Sequence, residues 1–198
     1  STNVLSNTMN DQLYIVSCSV VRKVKRIDLL IEALVKLEEK DIQYSWTHIG
    51  GGPEFERIKK LAKSKLNMKQ VKFTGFVKNQ EVLNWYKENP ATVFVNLSAS
   101  EGVPVAIMEA ISMGLPVIAT DVGGTREIVE NGKNGYLLDK DCTVSQIVES
   151  LNEFHIMDNG SYKKMCDNAL NIWKERSNAK VLYSKFATKL GKSSSGSL

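Results

Sequence analysis

The chain has 198 residues, of which 42% are hydrophobic, and this is enough apolar material for the core of one large domain. Its formal net charge of +4, from 26 basic and 22 acidic residues, is too small to indicate a nucleic-acid-binding surface. The three cysteines, Cys18, Cys142 and Cys166, lack C-x-x-C spacing and are expected to be reduced in a cytoplasmic protein. No apolar run approaches about 18 residues, so any membrane attachment would be peripheral, at the inner face of the membrane, or would lie outside this chain.

The first strand and helix are predicted near the amino end. Residues 1–12 are polar, and we expect them to form a linker from a missing N-terminal domain. The apolar run Leu13–Cys18 predicts a short buried strand, and the spacing of apolar residues in Ile27–Leu37 predicts an amphipathic helix. Between them lies the turn 20–26 with four basic side chains. Considered alone, this turn is as well explained by a solvated loop as by a binding site.

A glycine-rich turn follows the second predicted strand, Gln43–Ile49. Residues 50–53 read Gly-Gly-Gly-Pro and precede a helix that begins near Glu54. Such a turn lets a ligand or another backbone approach closely. The third glycine of the G-x-G-x-x-G fingerprint is absent, so a tight connection and a ligand contact both remain open. His48, at the end of this strand, is expected to be a packed, hydrogen-bonded residue.

The third predicted strand is Gln70–Gly75, and a helix is predicted around Gln80–Lys87. We interpret Trp85 and Tyr86 as the core-facing and surface-facing residues of that helix. Neither is expected to form a stacking platform for a ligand.

The most informative stretch is residues 96–127. The apolar run Thr92–Leu97 predicts a strand, a loop follows it, and a helical pattern begins with Pro104 at its first position. Gly114 followed by Pro116 predicts the end of that helix. The helix start attracts anions, because unpaired amides and the positive end of the helix dipole converge there.

Two carboxylates flank this helix start, Glu101 in the loop and Glu109 one turn into the helix. Carboxylates beside a phosphate site are suited to accept hydrogen bonds from neutral hydroxyls of a ribose or a sugar ring. Such charge-assisted bonds are worth roughly 1.5–3 kcal/mol. A phosphate site with acceptors for two polyols indicates a nucleotide sugar.

The remaining elements continue the alternation of strands and helices. Pro116–Thr120 and Tyr136–Leu138 are predicted strands, and Thr125 is predicted to be the N-cap of a short helix over Arg126–Glu130. The glycines of the loop 121–124 are explained equally well as turn residues and as residues that bring the loop toward a ligand.

The last predicted helices lie in Val144–Leu190, and residues 191–198 have the composition of a disordered tail. The folded domain is therefore expected to span residues 13–190. Its fold class is predicted to be α/β, a Rossmann-like doubly wound parallel sheet of about six strands flanked by helices. Ligands bind such sheets at the carboxyl ends of the strands, where all the turns described above lie.

These motifs resemble those of a known family. Glu101 and Glu109 are separated by seven residues, with Gly-x-Pro after the first and Pro-Val-Ile-Ala-Thr-Asp-Val-Gly-Gly after the second. In that context the stretch resembles the E-x7-E signature of the retaining glycosyltransferases of family four. The resemblance runs from about Ile15 to Leu138 and is to the C-terminal, donor-binding domain, so the sheet is expected to be one half of a GT-B fold.

The resemblance implies that a lysine and the central helix start grip the donor diphosphate. Lys25, in Lys-Arg-Ile-Asp-Leu-Leu, matches the family's lysine, and the helix start lies near Pro104. The family also has an arginine five residues before that lysine, where this chain has Val20. Either Arg22 replaces the missing charge, or diphosphate binding depends more on Lys25 and the helix amides.

The resemblance also implies contacts to the rest of the donor. Glu109 would hold the ribose, while Glu101 and the amides of Gly102 and Val103 would hold the donor sugar. Glu101 and Lys25 would be the catalytic residues.

Two further turns would line the donor site. The family's G-x-G-P turn favours Gly51 and Gly52 as donor contacts. The backbone after Thr-Gly reads the base in the family, so Phe76 and Val77 are predicted contacts whose side chains do not reveal which base is bound. No cofactor or metal is implied: residues 139–141 match the Asp-x-Asp metal motif of the GT-A architecture, but they lie far in sequence from these turns and are interpreted as a polar loop.

The implied reaction moves a sugar from a UDP- or GDP-linked donor to a glycan or a lipid-linked acceptor, as in polysaccharide or other surface-glycan synthesis. The acceptor site would lie in the N-terminal domain, so this hexosyltransferase fragment is expected to be inactive alone. Nucleic acid is not an expected partner. Two alternatives remain open: a nucleotide-sugar epimerase, and a non-catalytic nucleotide-binding module that lost catalysis with the basic residue at Val20.

Overall fold

The computed structural model describes residues 12–177. Most of the predicted linker, the end of the predicted helical segment and the predicted tail lie outside these residues. The strands are β1 Leu13–Cys18, β2 Tyr44–Ile49, β3 Val71–Phe73, β4 Val93–Asn96, β5 Val117–Thr120 and β6 Gly135–Leu138. The helices are α1 Ile27–Glu39, α2 Phe55–Lys65, α3 Asn79–Glu88, α4 Val105–Ser112, α5 Val144–Ile156 and α6 Asn159–Ile172.

The six strands form one parallel sheet in the order β3-β2-β1-β4-β5-β6. This is the strand order of the Rossmann fold, in which the direction of winding reverses between β1 and β4. The predicted fold class is therefore confirmed, as is the prediction of about six strands.

Helices cover both faces of the sheet. Side chains of α1, α2 and α5 pack on the first face, and side chains of α3, α4 and the end of α6 pack on the second. Strand β1 contributes Leu13 and Ile15 to the first core and Val16 to the second. Because β1 is buried on both faces, its sequence is a continuous apolar run without alternation.

The two neighbours of β1 pair with it over different lengths. With β2 it forms six residue pairs, from Leu13 to Cys18. With β4 it forms only two, Ile15 with Val93 and Val16 with Phe94. The carboxyl ends of β1 and β4 therefore separate, and a crevice opens between them.

Tyr86 corrects one prediction from the sequence. Its side chain is only 8% exposed and belongs to the second core, whereas Trp85 is partly buried against it. Tyr86 lies four residues after the buried Val82, so both side chains are on the helix face that meets the sheet. The assignment of Tyr86 to the surface was wrong.

Two helix starts also differ from the predictions. The central helix α4 begins at Val105, and Pro104 is its N-cap residue rather than its first helical residue. Thr125 is the first residue of a 3-10 turn, Thr125–Glu127, and its buried hydroxyl has no partner among the described residues. The chain turns there through Gly124, so Thr125 is not an N-cap. The end of α4 is as predicted, because Gly114 has φ of 75°.

The described part of the predicted helical segment is interrupted between α5 and α6. Asp158 accepts hydrogen bonds from the amides of Gly160 and Ser161 and is thereby the N-cap of α6. A π-helical turn, Trp173–Ser177, follows α6.

His48 is a packed core residue, as predicted. Its Nδ1 lies 2.9 Å from Ser17 Oγ, and the same oxygen accepts a hydrogen bond from Trp46 Nε1 at 3.0 Å. His48 Nε2 is buried and has no partner among the described residues. Burial lowers the pKa of His48 to about 4, so the ring is neutral in the folded protein at pH 7.

Arg26 connects the two loops that border the crevice. Its φ of 47° is in the left-handed region, which is unfavourable for residues other than glycine. Its Nε donates to Leu97 O at 2.6 Å, and the backbone N–H of Ala99 donates to Val24 O at 2.8 Å. The turn after β1 is thus fixed to the loop after β4.

We predict that His48 makes the stability of the fold depend on pH. The unfolded histidine binds a proton near pH 6.5, whereas the folded one does so only near pH 4. The free energy of unfolding should therefore fall as the pH falls through this interval, by up to about 1.4 kcal/mol per pH unit from this residue. Urea denaturation between pH 4.5 and 6.5 should give a smaller slope for His48→Gln. The same slope in both proteins would contradict the prediction, and His155→Gln is the control for removal of a histidine.

We predict that two substitutions of Arg26 distinguish the stability that its hydrogen bond contributes from the stability that its backbone strain costs. Arg26→Ala removes the bond to Leu97 O and leaves a Cβ in the left-handed region, whereas Arg26→Gly removes the bond but relieves a strain of roughly 1–2 kcal/mol. The charged bond is worth roughly 1.5–3 kcal/mol. Urea denaturation should therefore rank wild type above Arg26→Gly and Arg26→Gly above Arg26→Ala. A glycine variant more stable than wild type would mean that the strain outweighs the hydrogen bond, and an alanine variant as stable as wild type would mean that the guanidinium contributes nothing.

Candidate functional site

The predicted site residues lie in the loops at the carboxyl ends of the strands. Lys25 and Arg22 follow β1, Gly51 and Gly52 follow β2, and Phe76 and Val77 follow β3. The loop after β4 carries Glu101 and leads to the start of α4. Because the sheet is parallel, all of these loops emerge on one side of the molecule.

An ion pair joins the loops on the two sides of the crevice. Lys25 Nζ donates to Glu101 Oε1 at 2.6 Å, and the two side chains are 21% and 10% exposed. The same oxygen lies 2.7 Å from Ser98 Oγ and accepts from Asn96 Nδ2 at 3.1 Å. None of these bonds uses Oε2 of Glu101, which is free of hydrogen bonds to the described residues.

The electrostatics of Glu101 follow from these partners. Burial acts to raise its pKa, but hydrogen bonds from Lys25, Ser98 and Asn96 outweigh burial and lower the pKa below its ordinary value. Glu101 is therefore a carboxylate at neutral pH. It can accept hydrogen bonds through its second oxygen.

The loop that carries Glu101 is held by its neighbours. Thr120 Oγ1 at the end of β5 donates to Ser98 O at 2.6 Å. Gly123, with φ of 54°, passes so close that a Cβ there would lie 2.0 Å from Glu101 O. The N–H of Gly124 donates to Gly102 O at 3.3 Å. The glycines after β5 are therefore required by this contact between loops.

The start of α4 offers unpaired backbone donors. Gly102 and Val103 are exposed, and their amides make no hydrogen bond to the described residues. Pro104 is buried beneath them. Such donors, together with the positive end of the helix dipole, favour an anion or a hydroxyl oxygen.

Glu109 is a half-buried carboxylate on α4. It makes no side-chain hydrogen bond or ion pair with the described residues, and burial raises its pKa. Its charge also raises the pKa values of Cys18 and Tyr86, for both of which burial is the larger cause. The pKa of Cys18 reaches about 12, so this thiol stays protonated. An unpaired acceptor of this kind is suited to bind hydroxyl groups.

Cys18 and Tyr86 are neighbours of the site that the sequence did not reveal. The hydroxyl of Tyr86 is buried without a partner among the described residues, and it interacts with both Cys18 and Glu109. The position of Cys18 near the site could have been predicted, because it is the last residue of β1 and the winding of the sheet reverses between β1 and β4. Tyr86 could have been found from its spacing of four residues from Val82.

The glycine turn after β2 is tightly enclosed by backbone. Val21 N donates to Gly51 O at 2.9 Å, and a Cβ on Gly52 would lie 2.7 Å from Val21 N and O. A Cβ on Gly51 would lie 3.3 Å from Phe76 N. The side chain of Phe76 is 85% exposed, and that of Val77 is half-buried. Glycines are therefore needed here because the backbones of three loops, those after β1, β2 and β3, approach one another closely.

The structure brings Lys25 together with Glu101 but leaves Arg22 apart. The side chain of Arg22 is exposed and makes no hydrogen bond or ion pair with the described residues. Val20 is 54% exposed. The arginine that is fixed beside the crevice is Arg26, whose role the sequence did not indicate because a left-handed arginine has no sequence signature.

No metal site or membrane span is found in the described part of the chain. Residues 12–177 contain no group of three or more histidine, cysteine or acidic side chains that could hold a metal ion. In the exposed turn after β6, Asp139 accepts a hydrogen bond from the amide of Asp141. Within the same residues, no helix is long and apolar enough to cross a bilayer.

The fold is similar to that of solved glycosyltransferases. The apo form of the lipopolysaccharide outer core galactosyltransferase WaaB superposes with a TM-score of 0.82 at 20% identity, covering 98% of this chain and 53% of that one. HepE of Anabaena, solved with UDP-glucose, gives a TM-score of 0.75 at 21% identity, covering 93% and 50%. The C-terminal domain of the group 1 glycosyltransferase LpcC of Francisella tularensis gives 0.69 at 25%, covering 85% and 87%. The sheet is thus one half of a GT-B fold.

Sequence relatives and a family model give the same result. The alpha-monoglucosyldiacylglycerol synthase of Acholeplasma laidlawii is 34% identical over 131 residues, 66% of this chain and 32% of that protein. The amylovoran biosynthesis glycosyltransferase AmsK of Erwinia amylovora is 30% identical over 138 residues, 67% of this chain and 34% of that protein. The chain thus spans about a third of the length of these relatives. The model for glycosyl transferases group 1 matches residues 6–171, and the chain belongs to this family.

Proposed function

We propose that this chain is the donor-binding domain of a retaining glycosyltransferase that uses a nucleoside-diphosphate sugar. The observation that carries the proposal is the pair of Lys25 and Glu101, which joins the loops on the two sides of the crevice at 2.6 Å. It provides a cation and a carboxylate beside the unpaired amides at the start of α4. A diphosphate and a neutral sugar require these complementary groups at neighbouring positions.

Lys25 can bind the diphosphate without releasing Glu101. Its ammonium group has three N–H donors, of which Glu101 uses one. The remaining donors and the amides at the start of α4 are available for phosphate oxygens. As the bond to the sugar breaks, negative charge grows on the departing diphosphate, and donors already in position stabilise that charge by several kcal/mol.

The two glutamates provide acceptors for the neutral parts of the donor. Glu109 has no side-chain partner among the described residues, which supports its assignment to the ribose hydroxyls. Glu101 has a free Oε2 beside the amides of Gly102 and Val103, which supports its assignment to the donor sugar. The backbone of Gly51, Gly52, Phe76 and Val77 would face the base. This binding requires no metal ion and no cofactor.

Structures with a similar fold favour UDP as the nucleotide to test first. HepE was solved with UDP-glucose, and the pneumococcal O-GlcNAc transferase GtfA, with a TM-score of 0.75, was solved with UDP and GlcNAc. The names of the sequence relatives include a glucosyldiacylglycerol synthase and an amylovoran glycosyltransferase. We therefore propose a glycan or a lipid-linked sugar as acceptor, bound by an N-terminal domain of a cytoplasmic enzyme.

We predict that the chain binds UDP and UDP-sugars through Glu109 and Lys25. Calorimetric titration should give weaker binding for Glu109→Ala by roughly tenfold to a hundredfold, because charged hydrogen bonds worth roughly 1.5–3 kcal/mol are lost. Lys25→Ala should reduce the preference for UDP over uridine, because it removes the cation that binds the diphosphate and leaves only the amides at the start of α4. GDP and GDP-sugars, titrated in parallel, identify the base.

The control for these titrations is Glu153→Ala, which removes an exposed carboxylate of α5. It should bind UDP as the wild type does. Equal affinity for UDP in wild type, Glu109→Ala and Lys25→Ala would refute the donor site.

We also predict that the full-length enzyme transfers the sugar with retention of the donor's anomeric configuration and that this chain alone transfers none. NMR of the product of full-length enzyme, UDP-sugar and acceptor should show the configuration of the donor. A change of donor stereochemistry without acceptor would identify an epimerase instead. A full-length protein that binds UDP but neither transfers nor epimerises the sugar would be a non-catalytic binding module. This alternative is relevant because Val20 stands where the family has an arginine.

A further inference from the structure

The basic residues are distributed very unevenly along the chain. Eight of the 26 lysines and arginines, and none of the 22 acidic residues, lie between Arg57 and Gln80. This segment therefore carries a charge of +8, and the remainder of the chain carries −4. It forms most of α2, the short turn after it, the edge strand β3 and the loop that leads into α3. The small net charge of the whole chain conceals this asymmetry.

Most of the lysines of this segment are exposed, and five of them define one surface. We call the basic edge the set of its five exposed lysines on α2, the following turn and β3: Lys60, Lys63, Lys65, Lys69 and Lys72. None of them forms an ion pair with any described residue. Protection of the edge strand against pairing with another strand is a sufficient explanation for Lys72, which lies on β3. It does not explain Lys60, Lys63 and Lys65, because these residues lie on α2.

A polar groove of about 300 Å³ opens at the same edge of the sheet, on the face that α3 covers and opposite to α2. Its lining includes Lys69, Lys72, Ser45, Thr47, Tyr14 and Trp85. The hydroxyls of Ser45 and Thr47 make no hydrogen bond to the described residues, and they lie on the sheet between the lysines and α3. The groove thus combines cations with free hydroxyls, which suits a phosphorylated, hydroxyl-bearing group.

We infer that the basic edge docks on an anionic phospholipid bilayer, with the groove receiving a lipid headgroup. Clusters of lysines on an amphipathic helix are attracted by the negative surface of such a bilayer, and each lysine adds to the attraction. The helix α2 has no large exposed apolar side chain, so it lies on the headgroups and does not insert. Binding is therefore electrostatic and sensitive to salt.

The chemistry of the segment favours a bilayer over a nucleic acid. Seven of its eight basic residues are lysines, which act as point charges, whereas arginine is the residue suited to bidentate phosphate recognition. Its one arginine, Arg57, is engaged with Glu54 at 2.5 Å and Asp28 at 3.5 Å. On α2 and β3, Phe55 and Phe73 pack edge to face at a centroid distance of 5.9 Å, so neither offers a free ring for base stacking. The exposed Phe76 lies in the loop after β3, with the other loops of the candidate donor site and not on the basic edge.

Docking at this edge leaves the candidate donor site accessible. The lysines belong to α2, the turn 68–70 and β3, whereas the Lys25–Glu101 pair lies in the crevice between β1 and β4. Strand β2 separates the edge strand from β1 in the sheet. The inference does not depend on the proposed function, because it uses none of the donor-site residues.

The test is cosedimentation of the 198-residue chain with vesicles of phosphatidylcholine alone or mixed with phosphatidylglycerol. At 0.1 M salt the chain should bind only the anionic vesicles, and 1 M salt should release it, because the screening length falls from about 10 Å to about 3 Å. The variant K60A/K63A/K65A/K69A should bind roughly a hundredfold or more weakly.

The matched control is K140A/K163A/K164A/K174A, which also removes four positive charges but from exposed positions outside the basic edge. It should bind anionic vesicles as the wild type does, and circular dichroism melting should confirm that both variants are folded. Equal loss of binding in the two variants would mean that net charge alone acts and would overturn the inference. Binding of duplex DNA without binding of anionic vesicles would overturn it as well.

Discussion

The site depends on the short pairing between β1 and β4. Only two residue pairs connect these strands, while β1 pairs with β2 along six. Beyond Val16 the two strands diverge, and the chain leaves them toward opposite sides because the order of the sheet reverses there. A cavity of about 20 Å³ remains in the gap, lined by Cys18, Lys25 and Asn96 among others. Lys25, Glu101 and the start of α4 are attached to these two diverging ends.

Polar contacts close this gap where the sheet cannot. Arg26 donates to Leu97 O, and Lys25 donates to Glu101, so consecutive residues of one turn fix two points of the opposite loop. Burying an ion pair costs desolvation energy, and such pairs often contribute little net stability. The value of the Lys25–Glu101 pair is therefore in geometry: it keeps a cation and a carboxylate oriented before any ligand arrives. Orientation in advance is what allows charged groups to stabilise a transition state without reorganising.

Local patterns in the sequence were sufficient for the strands and the main helices, and they placed most of the predicted site residues in the loops at the carboxyl ends of the strands. The apolar run of β1 and the Gly114 stop are signals contained in a few neighbouring residues, and they gave correct elements. Tyr86 was misassigned although its spacing of four residues from Val82 is a local signal. Thr125 was misassigned because its environment is set by distant parts of the chain, namely the loops at the carboxyl ends of β4 and β5. Arg26 was missed for the same reason, because its contacts are 71 or more residues away in sequence. The glutamates were found by motif, but which oxygen of Glu101 is free depends on three partners that only the fold brings together.

The distribution of charge gives the two regions of the domain different physical tasks. In the crevice, cations and carboxylates are paired or half-buried, so their fields act over a few ångströms and are only weakly screened. At the basic edge the lysines are exposed and have no acidic partners in the described chain, so their fields extend outward and are cut off by salt. A compact ligand that needs exact orientation suits the first arrangement, and an extended surface of negative charge suits the second. Because the two regions share no residue and lie at different places along the sheet, each can be altered by substitution while the other is left intact.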